Sequence, residues 1–84
     1  MNRTANYYDV LNDSECAFLN HMSRWGSDGY PVVKASRKWF WVEAFGVKGS
    51  PVAYRTKREA FAAVEAYLET IRQRISERAK QLAA

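Results

Sequence analysis

From Lys57 to about Gln81 the chain runs without a glycine or a proline, and that run dictates most of what the rest can do. Thr56-Lys57-Arg58-Glu59 opens it as a capping box, in which the threonine hydroxyl meets the Glu59 amide and the carboxylate returns to the Thr56 amide. Phe61, Val64, Leu68, Ile71, Ile75 and Leu82 then follow at helical spacing, and alanines at 60, 62, 63, 66 and 79 favour helix throughout. At ~1.5 Å per residue such a helix is nearly 40 Å long. It overhangs any sheet built from strands at most about 25 Å long, so its distal half needs a partner.

Two further segments precede it. Leu11-Asn12-Asp13-Ser14-Glu15-Cys16 reads as a helix start, with Asn12 as cap, Glu15 three residues on, and Leu11 and Cys16 as a hydrophobic staple. Phe18, Met22 and Trp25 share one face, Leu19 lies beside it, and Gly26 suits a left-handed cap. The spacing predicts a short helix over 13–25, followed by the linker-like stretch 26–29. Residues 30–55 are instead rich in β-branched and aromatic side chains, which predicts strands over 30–36, 38–45 and 52–55. Ser36-Arg37 is a tight link, and Gly46-Val47-Lys48-Gly49-Ser50-Pro51 is a glycine-rich loop. Connections this short imply a three-stranded antiparallel meander, with Pro31 and Pro51 at strand starts. The expected fold class is α+β: short N-terminal helix, three-stranded antiparallel β-meander, and long C-terminal helix packed on the sheet. With 84 residues, it forms one domain over 1–84.

Strand two has two apolar faces, Phe40, Val42 and Ala44 on one side and Trp39, Trp41 and Phe45 on the other. The long helix can cover one of them. The other is either closed by the first helix, through Phe18, Met22 and Trp25, or left open to a ligand.

Charge sharpens this picture. The net +4 divides into −2 over residues 1–29, +6 over 30–58 and zero over 59–84. The basic middle comprises Lys34, Arg37, Lys38, Lys48, Arg55, Lys57 and Arg58, opposed by Glu43 alone. Cations interleaved with aromatic rings suit nucleic acid, since ammonium and guanidinium groups meet phosphates and rings stack on bases. The expected function is therefore a small basic nucleic-acid-binding or accessory protein of phage-like scale. The basic residues 34–58 contact phosphate, and Trp39 or Trp41 stacks. The competing expectation is a non-enzymatic protein–protein module that homodimerises through Leu68, Ile71, Ile75 and Leu82, a heptad-like seam interrupted by Arg78.

Trp39, Trp41 and the junction Tyr54-Arg55-Thr56-Lys57-Arg58-Glu59-Ala60 carry a resemblance. On these residues the segment 33–68 resembles the three-stranded-sheet-plus-helix DNA-binding modules of plant ethylene-response factors and phage integrase N-terminal domains. The resemblance implies that the sheet face away from the helix presents arginines and tryptophans to DNA. This chain has only Arg37 and Arg55 in or beside its strands, and its helix is longer than the pattern requires.

No catalytic constellation is expected, and the protein is read as not an enzyme. Cys16 and His21 lie five apart, about 140° around a helix, which predicts a packed cysteine and a surface histidine. No third or fourth ligand accompanies them, so no metal and no cofactor is expected. Glu65 and Glu69 read as a solvated face beside Arg72. Gly46-Val47-Lys48-Gly49-Ser50 lacks the setting of a phosphate loop, and no small-molecule substrate is expected. Met1–Asn6 lacks the apolar segment of a signal peptide, and no apolar run approaches the ~20 residues of a membrane span. With one cysteine, these features lead to the expectation of a cytoplasmic protein.

Overall fold

Helix α1 (Asp13–Trp25) is followed by a 3₁₀ turn over Gly26–Gly29, strands β1 (Val32–Ala35), β2 (Lys38–Trp41) and β3 (Ala53–Tyr54), and helix α2 (Lys57–Ala83). This is a computed structural model, and it describes residues 9–83. The reading of Met1–Asn6 lies outside those residues. The architecture is α+β, with the antiparallel sheet in the order β1-β2-β3 and α2 packed on it. No helix among the described residues is long and apolar enough to cross a membrane.

Both helices begin where their local chemistry directs. The Glu15 amide donates to Asn12 Oδ1 (2.8 Å) and the Asn12 amide to Glu15 Oε1 (3.0 Å). At α2 the Glu59 amide donates to Thr56 Oγ1 (3.2 Å), while the amides of Thr56 and Arg55 both donate to Glu59 Oε1. The end of α1 departs from expectation. Gly26 has positive φ (59°) but ψ of −141°, outside the left-handed helical region, and its amide still reaches the Met22 carbonyl. The chain then tightens into the 3₁₀ turn in place of a linker. Trp25 lies at the helix end and is 56% exposed, so it takes no part in the core.

The strands are shorter than propensity predicts. β2 stops at Trp41 because Ala44 and Val47 exchange backbone hydrogen bonds (3.0 and 2.9 Å) across a second tight turn at Phe45 and Gly46. Phe45 therefore turns at positive φ (56°) where a strand residue was expected. The loop then folds onto β2 so closely that a side chain on Gly49 would collide with the Trp41 carbonyl.

The register settles which face of the sheet is covered. Val32 pairs with Trp41, Lys34 with Trp39 and Trp39 with Tyr54, so these residues share the face beneath α2. Trp41 is buried at 8% exposure and its ring lies 5.6 Å from Tyr67 of α2. Its Nε1–H finds no acceptor among the described residues, a cost of about 1–3 kcal/mol if no water reaches it. Helix α1 lies beside α2, not over the outer sheet face. Phe18 is fully buried, with its ring edge-on to Tyr67 (5.7 Å) and Phe45 (6.4 Å). The core comprises Phe18, Leu19, Met22, Trp41, Val47, Val64, Leu68 and Ile71. The partner that the long helix needs is therefore supplied largely from within the chain.

Candidate nucleic-acid interface

The hairpin joining β1 and β2 is closed by Ser36 and Arg37 alone, with φ of 50° and 66°. Positive φ at both central residues is the two-residue turn whose twist matches a β-ribbon, and it favours Asn-Gly. Here it holds an arginine at the tip. Ala35 pairs with Lys38, the last register position before the turn. Lys38 and Ala35 thus form the last row of the outer face at the hairpin end, and Arg55 follows directly after β3. Next to it runs an apolar row, Val33, Phe40 and Ala53, with Val33 47% exposed. Val33, Ala35, Lys38 and Ala53 are exposed on this face, and Phe40 is half-buried.

On the helix side of the same end, two lysines converge on one ring. Lys34 Nζ lies 5.7 Å and Lys57 Nζ 5.8 Å from the Trp39 centroid. Lys57 is also 5.3 Å from the centroid of Phe61, which meets Tyr30 edge-on at 4.8 Å. The capping box fixes where Lys57 leaves the helix, and the hairpin register fixes Lys34. Arg58 is exposed at the same helix end. Lys34, Arg37, Lys38, Arg55, Lys57 and Arg58 form no ion pair among the described residues.

The other sequence-predicted residues fall elsewhere. Lys48 is tied to Glu43 at 2.9 Å, and this hydrogen bond and charge raise its pKa. Trp41 is withdrawn into the core and presents no ring for stacking. Trp39 is half-buried and already engaged by lysines, so neither tryptophan lies on the outward face that the family resemblance implies. The four residues proposed as a dimer seam are not equally exposed. Leu68 (1% exposed) and Ile71 (0%) are core residues beneath α1, and Ile75 is packed against them; of the four, only Leu82 is exposed. Strand alternation already sets Phe40 apart from the tryptophans, and the observed register adds Val33 and Ala53 to its row.

Two arginines of the distal part of α2 are used internally. Arg74 Nη2 donates to Glu15 Oε2 (2.7 Å), and Arg78 Nη2 to Asp9 Oδ2 (2.9 Å). Burial alone raises the Glu15 pKa. The hydrogen bond and charge of Arg74, the Asn12 amide and the Tyr67 hydroxyl outweigh it and hold the carboxyl below its ordinary value. Tyr67 is pushed up, first by burial and then by the charge of Glu15. Glu65 accepts from the Tyr30 hydroxyl (3.2 Å), so it does more than line a solvated face. His21, expected at the surface, is half-buried with its ring 4.8 Å from Phe45.

Among the described residues no three His, Cys, Asp or Glu side chains group as metal ligands. Comparison with protein-family models, curated proteins and solved structures finds no match to this chain.

Proposed function

We propose that this protein is a small, non-enzymatic nucleic-acid-binding or accessory protein. It grips the phosphate backbone with the hairpin end of its sheet and the first turn of α2. The observation that carries this reading is the gathering of Lys34, Arg37, Lys38, Arg55, Lys57 and Arg58 at one end without carboxylate partners, while Glu15, Asp9 and Glu43 are each engaged by another cation. Glu59 lies nearby, but its Oε1 accepts only backbone amides. Such a cluster focuses positive potential on one surface. The sheet-plus-helix architecture is the one that the resemblance to DNA-binding modules implies, but its tryptophans face the long helix and not the outer side. Phe40, not a tryptophan, is the aromatic residue of that face.

Because Trp41 is buried and Trp39 is engaged, base stacking contributes little and duplex is the expected ligand class. Titration of a mixed-sequence 20-bp duplex at several salt concentrations tests the proposal. Five or six phosphate contacts predict a log–log salt slope of about −4.5 to −5.4. Failure to bind at about 50 mM salt and micromolar protein overturns the reading, since contacts of this number give measurable non-specific affinity there.

A further inference from the structure

Two ammonium groups from residues far apart in sequence lie within 5.8 Å of the Trp39 ring centre, and Lys57 also lies over Phe61. No carboxylate is paired with either lysine among the described residues. An aromatic face attracts a cation without neutralising it. A carboxylate in that place would anchor the lysines and cancel their charge together; the indole anchors them and leaves the charge available. Free lysines lose considerable side-chain entropy on being fixed by a ligand, and part of that ordering is already accomplished here. Among the described residues no ring lies under Arg37 at the turn tip or Lys38 on the outer row.

Resting on the nucleic-acid reading above, we infer that Trp39 is a positioning residue, holding Lys34 and Lys57 as a pre-ordered pair for adjacent phosphates of a nucleic-acid backbone. The role differs from base stacking, because the ring acts through the lysines and does not touch the ligand. It also places phosphate contact on the α2 side of the hairpin as well as on the outer row, so the backbone track wraps the sheet end.

The two roles separate in the salt dependence of binding to the mixed-sequence duplex. Lys34→Gln and Lys57→Gln each remove a phosphate contact and flatten the slope by about 0.9. Trp39→Leu retains every charge, so it weakens binding about fivefold with the slope unchanged. Trp39→Phe keeps an aromatic face, stays within about twofold of the wild type and covers the case in which the leucine variant does not fold. Trp39 also reports directly: its emission changes as the lysines move onto phosphate, and Trp39→Phe abolishes that change although Trp25 and Trp41 remain. If wild-type protein binds duplex but the two lysine variants keep its slope, or its emission change survives in Trp39→Phe, the positioning role is wrong and the broader reading stands. If the wild type does not bind, both fall.

Discussion

The two ends of α2 carry the same kind of side chain and put it to opposite uses. At the start, Lys57 lies over Trp39 and Phe61, with Lys34, Arg55 and Arg58 around it and no acid paired to any of them. Further along, Arg74 and Arg78 reach Glu15 and Asp9, which the fold brings back from the acidic first segment. A lysine and an arginine counted equally in the net charge thus end in different roles. What separates them is whether folding delivers a carboxylate or an aromatic ring. Arg74 and Arg78 are held by the fold, whereas the proximal cations have no carboxylate partner among the described residues.

The largest expected effect tests the structural side. Ile71→Ala empties a fully buried position and should cost about 2–5 kcal/mol in chemical denaturation, whereas Leu82→Ala, exposed on the same helix, should cost less than about 0.5 kcal/mol. Equal losses, or a fall in oligomeric mass for Leu82→Glu, would restore the seam as an interface. Next is the hairpin tip. Ser36→Asn combined with Arg37→Gly relieves two positive-φ residues and should stabilise the fold by about 1 kcal/mol while weakening duplex binding. A variant that gains stability and keeps full affinity would remove Arg37 from the interface.

The smaller effect concerns the distal charges. Glu15 has a folded pKa below its ordinary value of 4.5, so its contribution is present above that value and is lost as pH falls through the lower folded one. Glu15→Gln retains the capping geometry. It should cost about 0.5–1 kcal/mol at pH 7, because the Arg74 guanidinium is partly solvated, and the difference should close as pH falls through the lowered folded value. A difference independent of pH would mean that the ion pair adds nothing to stability.

The sequence reveals most where the chemistry is local. Asn12 with Glu15 and Thr56 with Glu59 mark both helix starts, and Ser36-Arg37 marks the turn, because each device spans four residues or fewer. Strand ends were less legible. Val42–Phe45 has the composition of a strand, yet Phe45 and Gly46 form a turn that lets Val47 enter the core. The covered face of β2 was ambiguous because both faces are apolar. The larger tryptophan rings meet Tyr67 and Lys57 across α2, while Phe40 is left on the outer side. The pairing of Arg74 with Glu15 joins residues 59 apart in the chain, and no local pattern announces it. For the same reason the charge block was visible from the sequence, but its division into free and engaged cations was not.

The division between the two helix ends is tested most directly by the salt dependence of duplex binding in two double variants, Lys57→Gln with Arg58→Gln and Arg74→Gln with Arg78→Gln. The proximal pair should flatten the slope by about 1.8, the loss of two phosphate contacts, and the distal pair should leave it at the wild-type value while lowering stability. Equal flattening by both pairs, or by the distal pair alone, would contradict the account.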